Sequence, residues 1–154
     1  THHINTVIGG ISGAMPPVIG WTAVTGAIDP GVIVFFVLMF IWQPPHFLAL
    51  AVRRRDDYEA AGIPMLPVVK GVPIAKQQIV LWVAALLPAS FYLYLVAPLN
   101  LIYLVLAFLL GGVWLAVALK GFRKMDDTKW ATTNFMCSLV YLTGISLAVV
   151  IGTI

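Results

Sequence analysis

Charge is what this sequence has least of. Only 10% of its 154 residues are Asp, Glu, Lys or Arg, where an average soluble domain has about 25%. So few charges cannot clothe a soluble globule. The 61% of apolar residues and the mean hydropathy of +0.99 put the chain in the membrane class. Cysteine is almost absent too. The single Cys137 excludes an internal disulfide scaffold and, inside an apolar run, reads as a small buried hydrophobe. A basic tract is also lacking. All nine cations lie in two stretches between apolar runs, which suits a juxtamembrane location and excludes a nucleic-acid interface. No internal repeat, heptad or low-complexity tract is evident. The opening THHINTVIGG has no initiator Met and does not read as a signal peptide. We expect the chain to be the C-terminal part of a longer protein.

Long apolar runs are abundant. A bilayer core of about 30 Å needs roughly 20 apolar residues per helix. Five stretches meet this: 6–26, 31–52, 77–97, 99–119 and 131–154. The expected fold is therefore all-α, a polytopic transmembrane helical bundle forming one domain over 1–154. The first span is the weakest, rich in Gly and interrupted by Met15-Pro16-Pro17. Such breaks are tolerated where neighbouring helices satisfy the freed backbone. Gly9, Gly10 and Gly13 would let another helix approach closely, so this span is expected inside a bundle; a loop or re-entrant segment is the other reading. Trp21, Trp82, Trp114 and Trp130 are candidate interface anchors.

Orientation follows from the loops. Arg53, Arg54, Arg55, Lys70 and Lys76 lie in 53–76, and Lys120, Arg123, Lys124 and Lys129 in 120–130. Five spans place both loops on one side, and the positive-inside rule makes that side cytoplasmic.

Orientation explains Arg53 to Arg55. It does not explain Asp56, Asp57 and Glu59, which crowd in beside them. A solvated loop that offsets its own arginines is one reading. The other is a site for a doubly charged anion such as diphosphate. Carboxylates hold Mg²⁺ by one or two oxygens while the ion takes phosphate oxygens as well, and arginines add bidentate donors. The following AAGIPMLPVVKG is apolar yet broken by Pro64, Pro67, Gly62 and Gly71, which suggests a structured loop over the membrane face. His46 lies ten residues before Asp56, roughly 15 Å along a helix. A histidine within a span is costly and a functional candidate; a packed, hydrogen-bonded ring, a substrate contact and a proton carrier all stay open. His2 and His3 are adjacent and would not share a helix face, so no two-His metal site is expected. Asp126-Asp127 reads as a cap for the last helix rather than a second metal loop.

Taken together, NTVIGGISGAMPPVIGW, WQPPHFLALAVRRRDDYEAAGIPMLPVVKG and NFMCSLVYL resemble the protoheme IX farnesyltransferases (heme O synthases), a branch of the UbiA-type intramembrane prenyltransferases. The resemblance covers nearly the whole chain; over 77–119 it is a match of hydropathy only. It implies a fold of nine helices with two Asp-rich loops on one face, of which the spans here look like the last five. It also implies an activity: the farnesyl group of farnesyl diphosphate passes, with Mg²⁺ help, to a vinyl group of heme b, giving heme O. In those terms Asp56 and Asp57 are the second Asp-rich loop, catalytic and metal-binding. Arg53, Arg54, Arg55 and Lys70 become diphosphate candidates. His46 becomes a heme candidate, and Tyr58, with Trp42, Phe47 and Tyr141, could stabilise a carbocation. Asn5 matches a family Asn before VIGG and joins the substrate-binding candidates, with a helix cap as its other role. The family's first Asp-rich motif is not in this sequence. A bacterial inner membrane and contact with heme A synthase or terminal oxidase assembly follow as expectations. The competing classes are a sister enzyme acting on a quinone precursor, a transporter fragment and a non-catalytic scaffold. PPHF joined to DDYEAAGIPMLP favours the heme branch, and a transporter would line its path with ionisable residues, where only His46 qualifies.

Overall fold

The structure is a computed structural model that describes residues 5–123 and 125–153, with side chains from residue 9 onward. His2, His3, Lys124 and the Asn5 side chain therefore lie outside the described residues. Seven α-helices and one 3₁₀ turn account for most of the chain, and no strand occurs among the described residues.

Each helix begins where local chemistry lets it. Helix α1 (Asn5–Thr25) stays helical through Pro16 and Pro17 and ends at Gly26, whose φ of 70° suits glycine. Helix α2 (Pro30–Arg53) is started by Asp29, whose Oδ1 accepts from Val32 N at 2.9 Å, with Pro30 at the first position. Pro44 and Pro45 lie inside α2, buried, and remove two donors from its hydrogen-bond ladder. Helix α6 (Leu101–Leu119) is capped by Asn100, and α7 (Asp127–Gly152) by Asp126, which accepts from Lys129 N at 2.7 Å.

The stretch 53–76, expected as a loop, carries more structure than that. Helix α3 (Arg55–Ala60) follows α2 after a single residue, with Asp56 and Asp57 in its first turn, where the helix dipole favours them. Helix α4 (Leu66–Val69) buries Pro67 and packs Leu66 on the core, so the interrupted apolar stretch is docked rather than loose. Helix α5 (Val72–Val96) begins five residues before the expected span, at Gly71 (φ 84°) and Pro73. Lys76 is therefore a helical residue, not a loop cation. Hydropathy hid this start, because Lys76 and the two glutamines after it look like a span boundary.

Four helical stretches among the described residues are long and apolar enough to cross a membrane: Pro30–Arg53, Val72–Val96, Leu101–Phe122 and Asp127–Gly152. This is a multi-pass membrane bundle. Helix α1, the weakest of the five expected spans, is not one of the four.

Helix α2 is the centre. It packs against α1, α5 and α7, while α6 closes the far side against α5 and α7. Its apolar window is 56% buried, against 28% for each of α5, α6 and α7, so the outer helices keep a lipid face, shown by Leu101, Leu109 and Val113. Lipid removes most of the hydrophobic drive between helices, and close packing must supply the attraction. Small residues do this. A Cβ on Gly10 would meet Phe40 at 3.2 Å, and one on Gly13 would overlap Gln43. One on Gly144 would sit 2.6 Å from Leu110. Gly9 faces nothing within 4 Å, so only two of the three expected glycines admit a neighbour. The anchor expectation also fails for two tryptophans. Trp114 and Trp130 are 1% and 0% exposed and belong to the core; hydropathy cannot tell an inward Trp from an interfacial one.

Candidate functional site

The end of the bundle where α2 stops gathers nearly all the charge. Arg53 and Arg54 finish α2, and α3 starts at once with Arg55, Asp56 and Asp57. The break between the two helices turns the arginines and the acids toward one pocket of about 380 Å³, lined by Arg53, Arg54, Asp56, Asp57 and Thr128. That is within the rough 300–1,000 Å³ range of small-molecule sites. A smaller pocket of about 150 Å³ adjoins through shared Arg53, Asp56 and Thr128, and adds Arg55 and Asp127. The two basic stretches thus meet at one end of the bundle, and the first turn of α7 forms a wall of both pockets.

Partnering within the cluster is incomplete. Arg54 Nη1 donates to Asp57 Oδ2 at 2.9 Å, with side chains 58% and 67% exposed. An exposed pair of this kind is worth about 0–1 kcal/mol, so a ligand can displace it cheaply. Asp56 makes no side-chain hydrogen bond among the described residues. The Arg55 Nε is buried with no partner, and leaving such a donor unsatisfied costs roughly 1–3 kcal/mol. An acceptor brought by a ligand would relieve it. No group of three or more His, Cys, Asp or Glu placed so as to hold a metal ion together occurs among the described residues. The donor set therefore does not suit an all-protein metal cage. It suits Mg²⁺ held by one or two carboxylates with phosphate oxygens completing the shell.

Behind the pocket lies a fixed cluster that sequence reasoning missed. Lys76 Nζ donates to the Gly121 carbonyl at 2.8 Å and to Asp127 Oδ1 at 2.5 Å, and sits 5.3 Å from the Trp130 ring centroid. Trp130 Nε1 donates to Val117 O at 3.2 Å, and a Cβ on Gly121 would overlap its ring. Lys76 thereby ties α5 to the α6–α7 corner and sets the first turn of α7, hence Thr128. Asp126 is the cap that was expected. Asp127 is more than that, because it lines the smaller pocket. The mixed composition of KGFRKMDDTKW was the available signal for Asp127; nothing marked Thr128.

The remaining candidates fall elsewhere. Lys70 ends α4, exposed, and does not line either pocket. Tyr58, half-buried, and Glu59, exposed, follow on α3 and line neither. Asn5 is the first residue of α1.

His46 is two helical turns before the charged end and half-buried. Its ring lies between Trp42 and Phe135, with centroids 4.7 Å away on each side, and meets the edge of Phe47 at 5.4 Å. Nδ1 is 2.7 Å from the Ser138 hydroxyl, and Trp42 Nε1 donates to the Ser138 carbonyl at 2.8 Å. One turn earlier on α2, the buried Gln43 donates Nε2–H to the Gly10 carbonyl at 2.8 Å. The WQPPH segment is thus a polar ladder: Trp42 and His46 reach α7, and Gln43 reaches α1. Tyr141 lies apart, buried against Trp114 and Ser90.

The UbiA prenyltransferase family matches residues 1–140. The protoheme IX farnesyltransferase of Geobacillus sp. (strain WCH70) is 55% identical over 151 residues, covering 98% of this chain and 48% of that protein. That of Exiguobacterium sibiricum is 51% identical over 154 residues, covering 98% and 49%. Protoheme IX farnesyltransferase 2 of Bacillus subtilis is 50% identical over 151 residues, covering 98% and 48%. The chain spans about half the length of the curated relatives it matches. No solved structure matches. A multi-pass helical bundle, an Asp/Arg pocket at one membrane end and matches of this depth lead to one assignment: the chain belongs to the UbiA prenyltransferase family.

Proposed function

We propose that the complete protein transfers the farnesyl group of farnesyl diphosphate to a vinyl group of heme b, giving heme O, in a bacterial inner membrane. The observation that carries this reading is the mixed pocket of Arg53, Arg54, Asp56, Asp57 and Thr128, with Arg55 lining the smaller pocket that adjoins it. An all-basic pocket would suit a bare anion. A mixed one suits an anion that arrives with a cation. The names of the relatives supply the substrate pair.

In this reading Arg53, Arg54 and Arg55 bind the diphosphate, and Asp56 and Asp57 hold Mg²⁺. The ion supplies charge neutralisation on the leaving diphosphate. The arginines act in the same sense, as donors aimed where charge develops. Thr128 adds a hydroxyl from the opposite wall. Lys70 stays a diphosphate candidate at the end of α4, although it lines neither pocket. His46, with Trp42 and Phe47 beside it, contacts heme deeper in the bundle, and Asn5 and Tyr58 complete the substrate contacts. The basic end faces the cytoplasm, following the positive-inside rule. Heme A synthase or the terminal oxidase assembly is the partner that would receive the product.

The test is expression of the full-length protein in a host lacking its own enzyme, with hemes extracted and separated by chromatography. Heme O is the expected product. A prenylated quinone precursor without heme O would move the protein to a sister branch.

A further inference from the structure

The contacts of Ser138 favour one of the two tautomers of His46. The Ser138 hydroxyl lies 2.5 Å from the Phe135 carbonyl, one turn earlier on α7, and 2.7 Å from His46 Nδ1. A serine has one hydrogen to donate, and a carbonyl can only accept. The hydrogen therefore goes to Phe135. The Ser138 oxygen must then accept from its other neighbour, so Nδ1 is the protonated nitrogen. In the neutral ring Nε2 is left as the electron-pair donor.

The surroundings hold this arrangement in place. Trp42 and Phe135 stack on the two faces of the ring, tilted by only 21° and 27° from parallel, and fix its plane. Ser138 is 0% exposed, and its own carbonyl is engaged by Trp42 Nε1. Three contacts thus join α2 to one turn of α7 around a single imidazole. For packing alone, an apolar side chain of similar size would fill the gap without a polar group inside a span. Histidines that bind a metal commonly donate their other ring N–H to an oxygen, which orients the ring and raises the basicity of the free nitrogen.

We propose that Ser138 is a positioning residue for heme, holding His46 in its Nδ1–H form so that Nε2 is offered to the heme iron. The inference rests on heme b as the acceptor substrate.

The experiment uses the full-length protein in detergent, titrated with heme b and followed by Soret absorbance and by the iron–imidazole stretch in resonance Raman spectra of the ferrous complex. Ser138→Ala is expected to raise the heme Kd about tenfold, the lower end of the usual cost of losing such a partner. It should also move the iron–imidazole stretch to lower frequency, with farnesyl diphosphate affinity unchanged. Ser138→Thr, which keeps the hydroxyl, is expected to restore both. If Ser138→Ala does not fold, Ser138→Cys keeps the volume with a weaker acceptor and is read the same way. Unchanged affinity and stretch in Ser138→Ala, alongside loss of both in His46→Ala, would overturn the role of Ser138 and leave His46 as a heme ligand. Unchanged heme binding in His46→Ala overturns both. Failure of the unsubstituted protein to bind heme overturns the substrate assignment itself.

Discussion

The two ends of the bundle use their polar side chains differently. At the end without cations, every hydrogen-bonding side chain of the turns has a structural task. Asp29 accepts from Val32 N and from Trp21 Nε1 at 3.0 Å. Asn100 accepts from Ile102 N at 3.0 Å and Tyr103 N at 3.3 Å and donates to Ile151 O at 3.3 Å. At the charged end, Lys76, Asp126 and Asp127 have comparable tasks, but the segment from Arg53 to Asp57 does not. Among the described residues its one ion pair is exposed, Asp56 makes no side-chain hydrogen bond, and Arg55 keeps a buried donor without an acceptor. One end is finished by the chain itself. The other leaves polar groups uncommitted, which in the proposed reading a ligand would engage.

That contrast is easiest to break at Asp56 and Asp57. Asp→Asn keeps size and most hydrogen bonding and removes the ligand charge. Each change is expected to cut prenyl transfer on the order of 10²–10³-fold, the scale for losing one preorganised electrostatic contact in the transition state, with the melting temperature unchanged. Asp56→Asn should be the worse, because Asp57 is shared with Arg54. Raising Mg²⁺ should partly restore either by mass action. Glu59→Gln, outside both pockets, is the control. If all three variants follow the Mg²⁺ titration of the unsubstituted protein, the acids merely balance charge.

Lys76→Met probes the part of the charged end that is already finished. The Lys76 side chain is 12% exposed and that of Asp127 46%, so the change strands a half-exposed carboxylate rather than a buried one. We expect a loss of about 1–3 kcal/mol, below the 3–5 kcal/mol of a fully buried pair, measured by denaturant unfolding in mixed micelles. Activity should fall only several-fold, through misplacement of Thr128. A loss as large as that of Asp56→Asn would mean that Lys76 itself meets the substrate.

Asn100→Ala tests the opposite end. It removes an N-cap, at a typical cost of about 1 kcal/mol, and should leave prenyl transfer within twofold. Activity thus separates by end: substitutions at the charged end affect catalysis, with a stability cost as well at Lys76, while those at the other end affect only the melting temperature.

Much of this was legible in the residues. Long apolar runs act locally, and the helices fall close to where those runs put them; the caps Asp29 and Asn100 were local signals that the hydropathy reading did not use. The charge excess at Arg53–Asp57 was visible as composition. What could not be read was which distant residues complete the pocket. Thr128 and Asp127 reach it because Lys76 holds the corner, a contact across 51 residues. Ser138 is one small residue in an apolar run, and only the approach of α7 to α2 gives it a role. The inward turn of Trp114 and Trp130 was hidden for the same reason, since hydropathy records no direction.

The smallest expected effect concerns acid, and it sharpens the contrast by isolating a single carboxylate. The Trp21 indole N–H, followed by the backbone N–H of Val32, holds Asp29 below the ordinary carboxylate value. Both donors favour the ionised form. A carboxyl whose folded value is lowered contributes stability that is fully present above its unfolded value of about 3.9. That contribution is lost as pH falls through the lower folded value. Between pH 7 and 5 Asp29 should therefore change nothing. Below about pH 4 its share of the link between α1 and α2 should fade. Asp29→Asn keeps an acceptor for Val32 and cannot titrate. The measurement is the difference in melting temperature between the unsubstituted protein and this variant, followed from pH 7 to pH 3 in detergent. It should be constant down to about pH 4 and then narrow, with the unsubstituted protein losing more. A difference that stays constant to pH 3 would mean that the Trp21 contact does not distinguish carboxylate from carboxyl, and that Asp29 is a cap and nothing further.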